Sequence, residues 1–323
     1  MIQEILSEKW LWILAALIII FMFFTMGGWT LAYFYRKRLM RQYAHDGLKI
    51  PGPQSKHLMI DNIQLHYVVE GSGPDIFLIH GIGANLYCWR FLIPLLARSF
   101  RVWAIDLKGY GLSDKPRKSS YGLAAQAKLL IEFLKAQNVQ QCILVGNSMG
   151  GAIAAEMTIQ NPDLIKDLVL INSAHDPKII GPLDLRKIRL FIDLLPPLFI
   201  NKVVVKQFMK TLYGKQRDIT DEVVSAYISP FMASDDTHHA FVASFEALID
   251  KTLIPRFKAL NKRVLILCGQ NDRLVPVRYG QQLHQSLAES LFHIHPDAGH
   301  HLQEEDPQWI VDKIKEFISN SKI

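Results

Sequence analysis

Cysteine is scarce and scattered. The three residues Cys88, Cys142 and Cys268 form neither a paired zinc motif nor a disulfide framework. Cys142 and Cys268 lie in apolar, strand-like runs, where a thiol behaves as a small hydrophobe, and that usage fits a reducing compartment. Low-complexity tracts and internal repeats are missing, which excludes solenoid, collagen-like and disordered architectures. Basic residues are not interleaved with aromatics in the manner of a single-strand nucleic-acid groove. The formal charge of +6 therefore needs another partner. Charge itself is missing from one stretch: Trp10 to Tyr35 contains 26 consecutive uncharged residues.

Half of the 323 residues are hydrophobic, enough for a sizeable core in one large or two small domains. The positive charge is concentrated in two places. Arg36, Lys37, Arg38 and Arg41 follow the uncharged stretch, and between Lys178 and Arg217 nine Lys/Arg face only Asp184 and Asp193. The remainder is near neutral or slightly acidic. A membrane surface is the partner this distribution favours over nucleic acid.

The uncharged stretch is long enough to cross a hydrocarbon core of roughly 30 Å at about 1.5 Å per residue. Trp10, Trp12, Tyr33 and Tyr35 stand near its ends, as interfacial aromatics do. A cleaved signal peptide would have a shorter apolar region, a positive flank on the other side and a small-x-small cleavage site. The expectation is a retained, single-pass anchor over 1–41, with its basic flank and the catalytic domain on the cytoplasmic side. Residues 42–56, with Gly47, Pro51, Gly52 and Pro53, read as a linker.

Beyond the linker, Leu58 to Val69 reads as a β-hairpin turning at Asp61-Asn62. Short apolar strands follow at Ile76–Ile79, Val102–Ile105, Cys142–Val145, Leu168–Ile171, Val264–Cys268 and Leu291–Ile294, with helical stretches between them at Trp89–Leu96, Ala124–Leu134 and Gly151–Gln160. That alternation predicts an α/β fold, its mostly parallel central sheet flanked by helices, over 57–174 and 254–323. The interval 175–253 breaks the pattern and predicts a helical cap over the carboxyl edge of the sheet. Within it, Leu190 to Val205 is strongly apolar and has lysines and arginines beside it. This face either lines the substrate pocket or also dips into a bilayer surface.

The turn Gly146-Asn147-Ser148-Met149-Gly150 lies between the apolar run Cys142–Val145 and a helical stretch. Strand, sharp turn and helix around Gly-x-Ser-x-Gly is the setting of a nucleophile elbow. A serine hydroxyl is a poor nucleophile until a neighbouring base takes its proton, so a histidine and a group to orient it are required. Asp272 follows the strand ending at Cys268, and His300 follows the strand ending near His295. The order Ser148, Asp272, His300 is that of this elbow's triads. His301 competes with His300, and Glu246 or Asp250 could replace Asp272. His300 is preferred because it directly follows the turn glycine Gly299. Backbone N–H groups of Met149 and Ile82, the latter after His80-Gly81, are the expected oxyanion donors. The cluster Asp235-Asp236-Thr237-His238-His239 reads as an acidic helix start rather than a metal site.

His80–Gly83, Asp106–Pro116, Gly146–Gly151, Asp272–Pro276 and Gly299-His300 occur in order across roughly residues 55–320 and resemble the α/β-hydrolase superfamily. The anchor and cap together resemble its membrane-anchored monoacylglycerol lipases and related bacterial lipases or esterases. That resemblance implies hydrolysis of fatty-acyl esters through an acyl-enzyme, with no metal or organic cofactor. The form Gly-Asn-Ser-Met-Gly-Gly is also common in carbon–carbon bond hydrolases of ring-cleavage products. Those usually carry Gly-Pro-Gly after the oxyanion loop, where this chain has Ala84-Asn85-Leu86. Ser148 argues against epoxide hydrolases and haloalkane dehalogenases, which need Asp at that position. A non-catalytic binding protein on the same fold is a third alternative.

Overall fold

A computed structural model of the protein describes residues 54–179, 202–214, 219–249 and 252–320. The expected anchor, nearly all of the linker, and residues 190–201 of the apolar cap run lie outside the described residues. Among those described, no helix is long and apolar enough to cross a membrane.

Eight strands form one sheet: β1 (Lys56–Ile60), β2 (Ile63–Glu70), β3 (Asp75–Ile79), β4 (Arg101–Ile105), β5 (Cys142–Asn147), β6 (Ile165–Ile171), β7 (Val264–Gly269) and β8 (Ser290–His295). Their order across the sheet is β1-β2-β4-β3-β5-β6-β7-β8. The hairpin closes as expected. Ile60 pairs with Ile63, and Asp61 and Asn62 both take positive φ, 48° and 61°, as a two-residue turn matched to the strand twist requires. β2 runs antiparallel to β4, and all strands from β4 through β8 are mutually parallel.

The central strands are apolar throughout because helices cover both faces. Alternate residues serve opposite layers. Phe77, Leu144, Leu170 and Ile266 pack with the helices Leu123–Ala136 and Met149–Gln160. Ile76, Val145, Val169 and Leu265 pack on the other face with helix Pro307–Ser319. The stretch expected as one helix over Trp89–Leu96 is instead a 3-10 turn, Leu86–Trp89, followed by a short helix, Leu92–Leu96. Asn85 starts the turn early, its side chain accepting from Tyr87 N at 3.0 Å.

β3 has β4 on one side and β5 on the other, so the sheet order reverses at β3. In such sheets the crevice at the strands' carboxyl ends beside the reversal is where ligands bind. Ile79 pairs with Gly146 there, which sets the loop after β3 beside the turn after β5.

In the described cap residues, three helices run over Lys202–Leu212, Asp221–Ala233 and Asp235–Ala247. Thr220 and Ser234 cap the second and third, with side chains that accept from Val223 N and Asp236 N. The expected acidic helix start at Asp235 is therefore found, and no metal-holding cluster occurs among the described residues. Pro230 sits inside the second helix and has no N–H for the carbonyl four residues back. That carbonyl, Ala226 O, instead accepts from Asn85 Nδ2 at 3.0 Å, so a helix irregularity becomes a tie between cap and core.

A buried carboxylate makes a second tie. Glu304 Oε2 meets Arg90 Nη2 at 2.6 Å and accepts from Tyr213 OH at 3.0 Å. Glu304 Oε1 accepts from Tyr227 OH and lies 3.2 Å from His301 Nδ1. Tyr213 and Tyr227 belong to the cap, Arg90 and His301 to the core. Burial alone would raise the Glu304 pKa, but the hydrogen bond and charge of His301, with Arg90, outweigh it and bring it from 4.5 down to about 2.

Two measurements test this architecture. A Cβ at Gly146 would stand 2.4 Å from Gly150 O and 2.5 Å from Gly151 N, so Gly146→Ala should lower unfolding stability in denaturant titration by about 2–3 kcal/mol. Glu304 has a depressed folded-state pKa, so its carboxylate contributes stability that is complete above about 4.5 and is lost as pH falls through about 2. The gap in melting temperature between wild type and Glu304→Gln should narrow over that window. A constant gap would show that the charge is not what the junction uses.

Candidate active site

Ser148 occupies the turn between β5 and helix Met149–Gln160 with φ +54° and ψ −120°. An ordinary L-residue rarely adopts that backbone, and local bonds hold it there. Ser148 N donates to Ile171 O at 3.0 Å, while Ser148 O accepts from Gly151 N at 3.0 Å and Ala174 N at 3.1 Å. The turn is tight enough to need its glycines. A Cβ on Gly150 would lie 2.1 Å from Ile79 O, and one on Gly81 would touch Ser148 Cβ at 3.0 Å. The loop after β3 and the serine turn are therefore in contact.

His300 and Asp272 meet. His300 Nδ1 lies 2.7 Å from Asp272 Oδ2, with both residues buried. The other carboxylate oxygen, Asp272 Oδ1, accepts from Leu274 N and Val275 N, each at 2.8 Å. Those two amides fix the rotamer of the carboxylate. His301, the competitor, turns instead toward Glu304 and the cap. Asp250 lies outside the described residues.

The backbone of His300 is held from the side of the serine turn. Asn147 Nδ2 donates to His300 O at 3.3 Å, and Asn172 Nδ2 donates to the same oxygen at 3.0 Å. Asn172 also donates to Gly299 O at 3.0 Å and accepts from Gly269 N at 3.0 Å. This one buried side chain thus links the ends of β6 and β7 to the histidine turn. Sequence reasoning missed Asn172 and gave Asn147 no role. The available signal was an asparagine directly after the apolar strand residues Leu168–Ile171, a polar residue where the strand must end.

Among the described residues neither the Ile82 nor the Met149 amide donates a hydrogen bond. Met149 begins the helix, where N–H groups lack intrahelical acceptors and the helix dipole favours negative charge. The loop bearing Ile82 is fixed by His80. Its Nδ1 donates to Gly81 O at 2.7 Å and its Nε2 accepts from Leu107 N at 3.0 Å. Only the neutral ring can do both. Complete burial lowers the His80 pKa and keeps it so, against the opposing pull of Asp106.

Asp106 braces the same loop from below. Its Oδ1 accepts from Leu86 N at 2.8 Å, and its Oδ2 accepts from Leu112 N at 2.8 Å and meets His66 Nδ1 at 2.7 Å. Burial pushes this carboxyl's pKa up, but the bond and charge of His66, with the Leu112 N–H, leave it lowered. His80 and Asp106 are support residues that the motif reading quoted without assigning a job.

Serine, imidazole, carboxylate and two unengaged amides at one sheet edge are the parts of acyl transfer by a serine nucleophile. The comparisons with known proteins agree with that chemistry. Residues 74–307 match the alpha/beta hydrolase fold family. The chain is 29% identical over 272 residues to the uncharacterized hydrolase YugF of Bacillus subtilis (strain 168), covering 81% of this chain and 97% of that one. It is 28% identical over 269 residues to the 2-hydroxy-6-oxo-6-(2'-aminophenyl)hexa-2,4-dienoic acid hydrolase of Metapseudomonas resinovorans, covering 80% and 88%. The crystal structure of a membrane phospholipase A, a bacterial virulence factor, superposes with a TM-score of 0.69 at 26% identity, covering 89% and 93%. Fold, site and sequence kinship lead to one assignment: the chain belongs to the α/β-hydrolase fold family, as a serine hydrolase.

Proposed function

We propose that the protein is a membrane-anchored carboxylic ester hydrolase acting on lipid-like esters of the monoacylglycerol type. The observation that carries the reading is the buried Asp272–His300 pair beside a strained serine turn whose neighbouring amides are unengaged. Ser148 Oγ attacks the ester carbonyl while His300 takes its proton. Asp272 holds the imidazole in the tautomer that can do so and stabilises the imidazolium. The carbonyl oxygen, now anionic, is received by the Ile82 and Met149 amides, each worth roughly 100- to 1,000-fold in rate. His300 then protonates the departing alcohol, leaving an acyl-serine. Water attacks it by the same route, and the fatty acid leaves.

The lipid-like substrate rests on three supports. They are the 26-residue uncharged stretch with its basic flank, the apolar cap sequence, and the similarity to a membrane phospholipase A. The basic flank after that stretch supports an orientation with the catalytic domain on the cytoplasmic side. Several relatives, the hexadienoic acid hydrolase among them, and the Gly-Asn-Ser-Met-Gly-Gly elbow favour a second reading, carbon–carbon bond hydrolysis. Both reactions pass through the same oxyanion, so the substrate separates them.

Ser148→Ala should cut turnover of a p-nitrophenyl acyl ester by about 10⁴-fold or more, with the circular dichroism spectrum unchanged. Activity persisting in that variant would remove Ser148 from the chemistry. Ile82→Ala should leave turnover within about twofold, because the donor is backbone. Wild-type protein should prefer a long-chain monoacylglycerol over a vinylogous diketone acid in kcat/KM; the opposite order would establish the carbon–carbon reading. Protease added outside spheroplasts should spare the hydrolase domain.

A further inference from the structure

The turn that carries His300 is held from two sides, and one of them is the cap. On the core side His300 O accepts from Asn147 and Asn172. On the cap side His300 N donates to Leu212 O at 2.6 Å, and His301 N reaches the same carbonyl at 3.4 Å. Leu212 is the last residue of cap helix Lys202–Leu212. The fit continues for two more residues. A Cβ on Gly214 would stand 2.1 Å from Asp297 O, and one on Gly299 would stand 2.6 Å from both Gly214 N and Leu212 O. The Glu305 carboxylate bridges the two glycines, Oε2 accepting from Gly214 N at 2.8 Å and Oε1 from Gly299 N at 2.7 Å.

Backbone contacts this close need something to keep Leu212–Gly214 in place. Tyr213, between them, donates to Glu304 Oε2, and the same carboxylate is anchored to the core by Arg90 and lies against His301, the residue after His300. Tyr227 of the next cap helix donates to its other oxygen. We infer that Glu304 is a positioning residue for His300, acting through the cap: it clamps Tyr213 so that Leu212 O fixes the backbone of the catalytic base. The inference rests on His300 being that base. The end of the first described cap helix is then part of the catalytic machinery, and any displacement of it is transmitted to His300 N. Proton transfer depends on the base lying within hydrogen-bond reach of the serine, and misplacement by about 1 Å can cost on the order of 100-fold in rate.

The test uses the full-length protein in detergent micelles at pH 8. Enzyme is quantified by titrating Ser148 with a fluorophosphonate, and folding is followed by melting temperature. Tyr213→Phe removes the Tyr213 hydroxyl bond to Glu304 and leaves the Tyr227 and Glu305 bonds in place. It should lower kcat on a p-nitrophenyl ester about 10-fold, slow fluorophosphonate labelling by the same factor, and leave KM within about twofold. Glu304→Gln should lower kcat further, toward 100-fold. A role in stability only would lower the melting temperature and leave kcat per titrated site unchanged. The inference is overturned by a Tyr213→Phe kcat within about twofold of wild type, or by a higher KM at unchanged kcat. Should Glu304→Gln fail to fold, Tyr213→Phe still decides. His300→Ala runs beside them. Wild-type labelling in His300→Ala would defeat the base assignment itself, whereas lost labelling there with normal Tyr213→Phe defeats only the positioning role.

Discussion

The backbone of Ser148 lies where L-residues rarely go, at φ +54° and ψ −120°, and the surrounding architecture is arranged to hold it. Strain of this kind costs on the order of 1–3 kcal/mol and persists only where the neighbours over-determine it. Here they do so in two ways. Ile171, Gly151 and Ala174 hydrogen-bond the Ser148 peptide groups, and the missing side chains at Gly146 and Gly150 let strand and helix close on each other. Both depend on the parallel sheet. Ile171 is the last residue of β6, paired with Asn147 at the end of β5. The Ile79 carbonyl that Gly150 approaches ends β3, on β5's other side. The serine turn stands at the carboxyl edge of the sheet because three adjacent strands end at one level.

Three buried carboxylates divide the remaining work, and their surroundings decide which does what. Asp106 is saturated by backbone amides and His66, and it braces the loop that carries Ile82. Glu304 is saturated by Arg90, His301 and two cap tyrosines, and it joins cap to core. Asp272 uses one oxygen for two loop amides and keeps the other for His300. Each of the three has hydrogen-bond partners on both oxygens, as a buried carboxyl group requires. Placing charge this way makes the loops rigid without filling the edge of the sheet with side chains.

What the sequence made legible follows from locality. The hairpin, six apolar strands and the serine turn were readable because each is encoded by a contiguous pattern: alternation, an unbroken apolar run, or glycines at fixed offsets. Asp272 and His300 were readable because each follows a strand directly, so pairing reduced to asking which residues lie at strand ends. The choice of His300 over His301 rested on one glycine, and the reason lies elsewhere, since Glu304 and the cap occupy His301. Asn172, Glu304 and the Leu212 carbonyl were not legible. Their partners stand far away in sequence, and a backbone carbonyl leaves no mark on residue identity. The helix expected over Trp89–Leu96 was misjudged for a similar reason. Its apolar spacing is helical, but Asn85 starts a turn early and Asn85 is itself held by the distant Ala226.

The position of Asn85 also bears on the reaction. An ester hydrolase has to protonate an alkoxide, which His300 can do alone after delivering Ser148 to the carbonyl. Breaking a carbon–carbon bond releases a carbanion-like fragment, so the site must also hold the substrate where its carbon is protonated, and that calls for additional donors aimed into the cleft. The segment after the oxyanion loop would be one place to supply them. In this chain its polar residue, Asn85, has both ends of its amide committed. Oδ1 accepts from Tyr87 N and Nδ2 donates to Ala226 O, so it fastens the cap rather than addressing a ligand. Asp106 is equally committed to Leu86 one residue further on. The loop beside Ser148 thus spends the side chains of His80 and Asn85 on structure, while the Ile82 amide donates no hydrogen bond among the described residues. Any group that protonates a carbon fragment has therefore to come from another part of the cleft wall than Asn85.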